Sequence, residues 1–320
     1  MKLLITGGCG FIGSNITEYF LKNNLFESII ILDNLSTGFI KNIQNLIDTY
    51  ENLKFIEGNI QDIEVCRNIT KNIDAICHQA ATGSVPRSIN DPFYYHKNNV
   101  DGFFNLLIAA KENGCKRFVY ASSSSIYGDD ENLPKIENKI GNVLSPYAAT
   151  KKINEVYANV FHKCYNMEII GLRYFNVFGE KQNPNGEYAA VIPKFIDYIK
   201  QDKSPIIYGD GSFSRDFTYV KNVVLANYLA LTTKNPECFG EVFNIGAGGR
   251  VTINEIFYKI CEIMNKNITP DYQPNRKGDI PHSNASIEKA KNMLRYIPEY
   301  QFEEGLKITI EYFLNLKKME

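Results

Sequence analysis

Three glycines directly after the first predicted strand constrain the fold of this chain more than any other feature. Residues 2–6 form a short β-rich run, and the next seven read GGCGFIG, which spaces Gly7, Gly10 and Gly13 three residues apart. One glycine permits a tight turn, one lets the backbone approach a pyrophosphate, and one lets a helix pack closely on a strand. The helix predicted to begin near Phe11 presents free N–H groups to phosphate oxygens. The pattern therefore predicts a strand–turn–helix unit that binds a dinucleotide.

Asp33 indicates which dinucleotide binds. It ends the second predicted strand, 20 residues after Gly13. A carboxylate at this point binds both ribose hydroxyls and repels a 2′-phosphate, which favours NAD over NADP. The alternative is a glycine turn with an unrelated aspartate, but both features stand at the required spacing.

The first 180 residues alternate short β-rich runs with segments of helical length. Several of the runs are continuously apolar, such as residues 28–32 (SIIIL), which suits strands covered on both faces. This alternation predicts an α/β fold with a doubly wound parallel sheet. The predicted strands are Lys2–Thr6, Ile29–Leu32, Leu53–Glu57, Ala75–Gln79, Arg117–Ala121 and Glu168–Arg173, and the predicted helices lie near 11–22, 40–49, 62–71, 96–113 and 146–163.

The pattern changes after residue 178, where a polar, turn-rich stretch begins. We expect residues 1–178 to form the dinucleotide-binding domain, with a segment at about 221–248 returning to its sheet. Residues 179–220 and 249–320 are expected to form a smaller C-terminal α/β substrate domain that ends in a helix at about 303–318.

Composition excludes several classes of protein. The 320 residues are 44% hydrophobic and 22% charged, with a formal net charge of −1, so disorder is excluded and no basic excess indicates nucleic acid or membrane as a partner. The seven cysteines are scattered without a CxxC pair, which is typical of reduced intracellular thiols. No run approaches the roughly 20 apolar residues of a membrane-spanning helix. No cluster has metal-ligand spacing, and we expect a cytoplasmic protein without a metal.

Tyr147 and Lys151 form a candidate acid/base pair. Pro146 is typical of a helix start, and the i, i+4 spacing places both side chains on one helix face. A tyrosine with a pKa near ~10 is a poor base at neutral pH, but a nearby ammonium and a positively charged nicotinamide ring both favour the phenolate. The pair alone is common on surface helices, so the neighbouring motifs decide whether it is catalytic.

A serine cluster supplies that context. Residues 122–128 (SSSSIYG) directly follow the predicted strand Arg117–Ala121, at the strand end where doubly wound folds bind ligands. Ser123 precedes Tyr147 by 24 residues, and its hydroxyl is expected to bridge the substrate hydroxyl and Tyr147. A flexible linker is the alternative for a serine run, but a linker does not usually follow an apolar strand directly.

With these motifs the chain resembles the extended short-chain dehydrogenase/reductases, which have a Rossmann fold, and more narrowly the nucleotide-sugar epimerases. The glycine loop, residues 33–38 (DNLSTG), the serine cluster and Tyr147-x-x-x-Lys151 carry the wider likeness. Residues 78–88 (HQAATGSVPRS), 172–179 (LRYFNVFG) and 182–194 (QNPNGEYAAVIPK) are similar to the UDP-N-acetylglucosamine 4-epimerases that serve bacterial surface polysaccharides. The matching motifs span residues 3 to about 285.

The resemblance implies reversible epimerisation at C4 through a transient 4-keto sugar and bound NADH. Tyr147 matches the base, Lys151 its activator and Ser123 the hydroxyl that orients O4. NAD contacts are implied for Gly7, Gly10, Phe11, Ile12, Gly13, Asp33, Asn34, Ser36, Gly38, Asn59, Ile60, Gln79, Ala80, Ala81, Asn99, Tyr147, Lys151 and Tyr174. Asn59 replaces the aspartate more usual in relatives and changes one polar adenine contact.

The resemblance also implies a set of UDP-sugar contacts. These are Gly83, Ser84, Ser123, Ser124, Tyr147, Asn176, Ala190, Val191, Arg215, Arg276, Asp279 and Ser283. Arg215 and Arg276 would hold the diphosphate, for which guanidinium groups are suited, although each arginine alone could form a surface ion pair. Ser283 stands where relatives restricted to plain sugars carry a bulky tyrosine, and serine leaves room for a 2-acetamido group. Pro281 replaces a basic residue of relatives, with an effect that the sequence does not define.

Several alternative functions stay open. A 4,6-dehydratase needs an acid–base pair where this chain has Ser124 and Ser125, which argues against dehydration. UDP-glucose and UDP-glucuronate 4-epimerases share the same motifs, and a sensor that binds NAD without catalysis is the non-enzyme alternative. His78 is expected to have a packing role.

Relatives dimerise through two helices per subunit, which implies a homodimer with a four-helix interface. The helices near 96–113 and 146–163 would supply it. Their apolar residues Phe103, Phe104, Leu107, Val156 and Val160 are equally compatible with packing on the sheet.

Overall fold

A seven-stranded parallel sheet forms the centre of the computed structural model, which describes residues 1–185, 190–275 and 281–315. The strands are β1 (Lys2–Thr6), β2 (Ser28–Asp33), β3 (Leu53–Glu57), β4 (Ala75–His78), β5 (Arg117–Ser123), β6 (Glu168–Tyr174), β7 (Val177–Phe178), β8 (Ile206–Tyr208), β9 (Ser214–Arg215), β10 (Thr218–Tyr219), β11 (Val242–Ile245), β12 (Val251–Thr252), β13 (Asp271–Gln273) and β14 (His282–Ser283). The central sheet has the order β11-β6-β5-β4-β1-β2-β3. The order reverses between β1 and β4, which is the crevice where doubly wound folds bind ligands.

Helices cover both faces of this sheet. The α-helices of the described residues are α1 (Phe11–Lys22), α2 (Gln44–Thr49), α3 (Ile63–Ile69), α4 (Val85–Asn90), α5 (Pro92–His96), α6 (Gly102–Glu112), α7 (Pro146–Tyr165), α8 (Val191–Lys200), α9 (Val220–Thr232), α10 (Ile253–Ile263) and α11 (Phe302–Asn315). Alternate strand residues pack on opposite faces of the sheet, since Leu3 and Ile5 lie on one face and Leu4 on the other. The apolar strands are therefore buried on both faces, and the predicted doubly wound sheet is confirmed.

Most element ends differ from the prediction by one or two residues at most, and two differences lie close to the site. The strand predicted to end at Ala121 continues through Ser123, because Ser122 and Ser123 pair with Arg173 and Tyr174 of β6. Where the sequence predicts one helix near 96–113, the chain instead runs without a break from α5 through a π-helical turn at Lys97–Asp101 into α6.

A second, smaller core lies beyond the central sheet. Helices α8, α10 and α11 surround it with side chains that include Phe195, Phe257 and Ile310. Two short sheets, β12-β9-β14 and β13-β8, lie in the same part of the chain. Between these segments, β11 returns to the central sheet and pairs with β6.

The apolar residues of α6 and α7 divide between the core and the surface. Phe103 and Leu107 are fully buried against the sheet. Phe104 packs on Tyr157, with ring centroids 4.8 Å apart, and Val156 and Val160 are 54% and 45% exposed. Of these five residues, the two α7 valines therefore present an apolar surface outward.

Across the three described ranges, no helix is long and apolar enough to cross a membrane. All seven cysteines are free thiols, and six are buried, with Cys164 exposed.

Candidate active site

The glycine-rich turn joins β1 to α1 under tight steric constraints. Gly7 has φ +72°, and a Cβ there would lie 2.6 Å from the backbone nitrogen of Ala80. A Cβ on Gly13 would overlap the carbonyl oxygen of Gly7. Side chains at these positions would push the loop away from the helix, so the three glycines keep the N-terminus of α1 open to a phosphate.

Asp33 lies beside this turn at the end of β2. Its two carboxylate oxygens accept hydrogen bonds from the backbone N–H groups of Cys9 and Leu35, each at 2.9 Å. Burial raises the pKa of Asp33, and these backbone donors act in the opposite direction. The carboxylate therefore fixes the glycine loop as well as facing the cleft.

One cleft along the carboxyl ends of β1, β2 and β4 collects most of the predicted cofactor residues. Its lining includes Gly7, Gly10, Asp33, Asn34, Ser36, Gly38, Asn59, Ile60, Gln79, Ala80 and Ala81. Leu32, Thr37, Gly58, Thr82 and Asn98 also line it and were not predicted, although each directly adjoins a predicted residue or a predicted strand. A backbone cradle at one end and a ribose-binding carboxylate beyond it are the groups that a dinucleotide requires, so these residues fit NAD.

Other predicted cofactor residues lie behind this lining. Phe11 and Ile12 begin α1, and Gly13 is buried beneath the loop. Asn99 is buried, and its amide binds the backbone of Thr82 in both directions, at 2.8 and 3.1 Å. Asn99 therefore shapes the cleft wall, whereas Asn98 lines it.

Tyr174 closes the same wall from β6. Its hydroxyl donates to the Gln79 side chain at 3.1 Å and accepts from Asn227 at 2.8 Å. These bonds fix the Gln79 side chain at the edge of the cleft.

Tyr147 and Lys151 occupy the first turns of α7. Ser145 caps this helix by accepting a hydrogen bond from the Ala148 N–H at 3.2 Å, and Pro146 follows as the first helical residue. Tyr147 is half-buried, whereas Lys151 is 2% exposed. The Lys151 ammonium donates to the carbonyl oxygen of Ala121 at 2.8 Å, which ties α7 to β5.

Ser123 ends β5, directly below the start of α7. Its hydroxyl oxygen accepts hydrogen bonds from the N–H and the hydroxyl of Ser125, at 3.1 and 2.9 Å. Ser124 lies between them in a 3₁₀ turn, Ser124–Tyr127. The structure therefore fixes the Ser123 side chain at the carboxyl edge of the sheet.

Burial is the largest cause of the pKa shifts of Tyr147 and Lys151. The pKa of Tyr147 is raised by burial, and a side-chain hydrogen bond with Ser123 lowers it. Burial lowers the pKa of Lys151 to about 8, against the opposing charge of Glu155. The sequence predicts that the ammonium lowers the pKa of Tyr147, but in the structure the net shift is upward because desolvation is the larger effect.

His78 serves packing, in line with its expected role. Its ring lies between Phe103 and Phe118, at centroid distances of 5.5 and 5.9 Å, and Nδ1 is hydrogen-bonded to the Thr6 hydroxyl at 2.7 Å. Burial, aided by Lys151, lowers its pKa to about 3, so it is neutral at physiological pH.

The predicted sugar-binding residues lie in two parts of the structure, of which the first is the segment after β4. Gly83 and Ser84 follow β4, where Ser84 has φ +144° and caps α4 by accepting from the Arg87 N–H. Positive φ at a serine is unusual and concentrates at functional sites. Tyr95 of α5, which the sequence did not indicate, packs edge-on against Tyr147 with centroids 6.2 Å apart.

The second group of predicted sugar-binding residues lies in and near the three-stranded sheet β12-β9-β14. Arg215 and Ser283 are directly paired across β9 and β14, and the Arg215 guanidinium donates to the backbone carbonyl of Pro281 at 3.0 Å. Asn176 has φ +32° and donates to the Asp216 carbonyl at 3.1 Å. The structure therefore places Asn176, Arg215 and Ser283 in one region.

The remaining predicted contacts are less well defined. Ala190 is exposed and precedes α8, of which Val191 is the first residue. Arg276 and Asp279 lie outside the described residues.

The chain is similar to known proteins over most of its length. A family model described as "NAD dependent epimerase/dehydratase family" matches residues 3–246. A putative UDP-glucose 4-epimerase from Methanocaldococcus jannaschii is 38% identical over 315 residues, covering 98% of both chains.

Two solved structures are similar over nearly their full lengths. A UDP-N-acetylglucosamine 4-epimerase from Methanobrevibacter ruminantium, in complex with UDP-N-acetylmuramic acid, has 40% identity and a TM-score of 0.92, with 98% of each chain covered. A UDP-glucuronic acid 4-epimerase from Bacillus cereus, in complex with UDP-glucuronic acid and NAD, has 31% identity and a TM-score of 0.91, with 99% of this chain and 100% of that chain covered.

Proposed function

This chain belongs to the NAD-dependent epimerase/dehydratase family, and we propose that it interconverts UDP-N-acetylglucosamine and UDP-N-acetylgalactosamine by epimerisation at C4. NAD is its cofactor. The observation that carries the proposal is the position of Ser123, Tyr147 and Lys151 at the sheet edge next to the glycine-rich cleft. The similar epimerases support the reaction class.

The residues of this chain act on the C4 hydroxyl of the sugar. NAD⁺ held by the glycine-rich turn and Asp33 would supply the reversible oxidation of the sugar carbinol, and its positive charge would favour ionised Tyr147. Tyr147 takes the O4 proton and returns it after the keto sugar has turned over in the site. Ser123, whose oxygen is oriented by Ser125, donates to O4 and fixes its direction. Lys151 supplies the positive charge that stabilises the phenolate.

The choice among UDP-sugars rests on Ser283. This small side chain pairs with Arg215 across β9 and β14, which would place it beside the sugar when Arg215 holds the diphosphate. The space that serine leaves accommodates a 2-acetamido group. Removal of a clash permits the larger sugar without rejecting the smaller one, so UDP-glucose is an expected side substrate.

We assign the two binding functions to the two parts of the chain that have separate cores. We assign NAD binding to residues 1–178 with the returning segment at about 221–248, and UDP-sugar binding to 179–220 and 249–320. The exposed valines Val156 and Val160 on α7 support a homodimer in which α7 meets its symmetry mate.

Product analysis tests the proposal. The holoenzyme is incubated separately with UDP-N-acetylglucosamine, UDP-glucose and UDP-glucuronate, and the products are followed by NMR. We expect UDP-N-acetylgalactosamine to form fastest, and Tyr147→Phe to lower kcat by roughly 10²–10⁴-fold. Ser283→Tyr is expected to suppress turnover of the acetylated sugar while UDP-glucose turnover persists.

Each other outcome identifies a different error. Fastest turnover of UDP-glucose or UDP-glucuronate would refute the Ser283 argument and retain the mechanism. A holoenzyme that binds NAD but converts none of the three sugars would support a sensor in place of an epimerase. Activity that survives Tyr147→Phe would refute the assignment of the base.

A further inference from the structure

The buried ion pair Glu155–Arg173 lies directly behind the catalytic residues. Glu155 is 8% exposed and Arg173 is 2% exposed. The guanidinium donates from Nε and Nη2 to the two carboxylate oxygens, each at 2.8 Å. Such a pair adds little net stability compared with apolar packing, so its presence calls for another role.

Glu155 continues the catalytic face of α7. Tyr147, Lys151 and Glu155 are four residues apart and therefore share one side of the helix. Lys151 donates to the carbonyl of Ala121, and Glu155 accepts from the hydroxyl of Ser122 at 2.7 Å. Consecutive residues of β5, up to the catalytic serine, are thereby bound to successive turns of α7.

Arg173 connects the same pair to the serine turn. It is the cross-strand partner of Ser122 on β6. Its Nη1 donates to the Tyr127 hydroxyl at 3.0 Å, and the guanidinium lies 5.0 Å from the centre of that ring. Tyr127 in turn donates to Asn244 at 2.6 Å. The pair therefore joins α7, β5, β6 and the turn that follows Ser123.

We propose that Glu155, held by Arg173, is a positioning residue that sets the register of α7 against β5 and thereby places Tyr147 and Lys151 opposite Ser123. This proposal rests on the epimerase function given above. Glu155 is not part of the cleft lining, and its side chain is hydrogen-bonded to Ser122 and Arg173, so it acts on the site through its neighbours on α7 and β5.

The charges around Lys151 give the proposal an electrostatic readout. Glu155 on the same helix raises the pKa of Lys151, in opposition to burial. His78 faces Lys151 from β4 and is neutral. Arg173 and Tyr120 face Glu155 from β6 and β5. Glu155 is therefore the negative charge that favours the ammonium form of Lys151.

Glu155→Gln tests the proposal with Glu168→Gln as its matched control. Glu168 forms an ion pair with Arg117 across the same two strands, at the opposite end from the site. For Glu155→Gln we expect kcat to fall roughly 10²-fold with KM within about twofold, because misplacement of about 1 Å has effects of that size. Glu168→Gln is expected to leave kcat within about twofold.

A second measurement does not depend on turnover. The NAD-loaded enzyme is labelled with [ε-¹³C]lysine, and Lys151→Arg assigns the Lys151 resonance. We expect the titration midpoint of Lys151 to fall by about 1 pH unit in Glu155→Gln, since an opposing charge is lost. If that variant does not fold, Glu155→Gln/Arg173→Met removes both charges, leaves none unpaired, and is measured in the same two ways.

Two results would overturn the positioning role. One is a folded Glu155 variant with wild-type kcat and an unchanged Lys151 midpoint. The other is an equal fall of kcat in Glu155→Gln and Glu168→Gln, which would indicate a general loss of stability. A wild-type enzyme that converts no UDP-sugar would refute the proposed function, and the Lys151 midpoint would still decide the role of Glu155.

Discussion

Replacement of Lys151 by methionine is expected to stabilise the folded protein and abolish turnover. Lys151 is 2% exposed, and burial lowers its pKa from 10.5 to about 8. The folded state therefore binds this proton more weakly than the unfolded state, so the protonated side chain destabilises the fold at pH 7. The difference between the two pKa values corresponds to about 3 kcal/mol.

Methionine removes this penalty at a smaller cost. It is unbranched and apolar and fills the same channel between α7 and β5. The hydrogen bond from the Lys151 ammonium to the Ala121 carbonyl, 2.8 Å long, is lost and contributes about 1.5 kcal/mol because its donor is charged. We therefore expect Lys151→Met to raise the free energy of unfolding by about 1.5 kcal/mol at pH 7. The gain should decline as the pH rises from 8 towards 10.5, where lysine becomes neutral in both states.

Equilibrium urea unfolding of the NAD-free protein at several pH values between 7 and 10 measures this effect. Lys152→Met is the matched control on the same helix and is expected to change the free energy of unfolding by less than about 0.5 kcal/mol. Turnover of UDP-N-acetylglucosamine by the NAD-loaded variants gives the activity. The argument from burial would be refuted if Lys151→Met were less stable than the wild-type protein at pH 7. It would also be refuted if the gain in the free energy of unfolding were as large at pH 10 as at pH 7.

Three further variants test other parts of the site and surface. Asp33→Ser is expected to weaken NAD binding at least tenfold and to reduce the preference for NAD over NADP. Calorimetric titration of both cofactors measures this, and an unchanged preference for NAD would contradict the role of Asp33. Gly13→Ala places a methyl group against the Gly7 carbonyl and should prevent NAD binding, as fluorescence titration would show; wild-type affinity would mean that the loop adapts. If the proposed homodimer forms through α7, Val156→Glu with Val160→Glu should halve the mass seen by light scattering, whereas Tyr258→Glu, also at an exposed residue, should leave that mass unchanged.

The sequence predicted the central sheet because its local signals agree with the fold. Residues 28–32 are continuously apolar, and the structure buries this strand between two helical layers. The end of β5 was predicted two residues early, because serines have low strand propensity and are typical of turns. Pairing with Arg173 and Tyr174 of β6 extends the strand, and such long-range register is not visible in a local pattern.

Local patterns also identified faces without saying what covers them. The i, i+4 spacing of Phe103 and Leu107 defines one side of α6, but only the structure shows that this side packs on the sheet. Asn99 was assigned to the cofactor by motif, whereas its amide is used by the backbone of Thr82. Glu155 carried a usable signal, since it continues the Tyr147 spacing by two further turns, but its partner Arg173 lies on another strand.

In the proposed function, substrate choice depends on a different part of the fold from the chemistry at C4. Tyr147, Lys151 and Ser123 are held by contacts between α7 and β5 that contain no residue of the second core. Ser283 belongs to β14, which is positioned by pairing with β9 and by the buried carboxylate of Asp216, an acceptor for the Ala285 N–H at 3.2 Å. A change of side chain on β14 can therefore alter the accepted sugar while the catalytic geometry persists. In the proposed function, this separation allows one catalytic arrangement to serve several UDP-sugars, and we expect Ser283 to be the position at which a substitution distinguishes them.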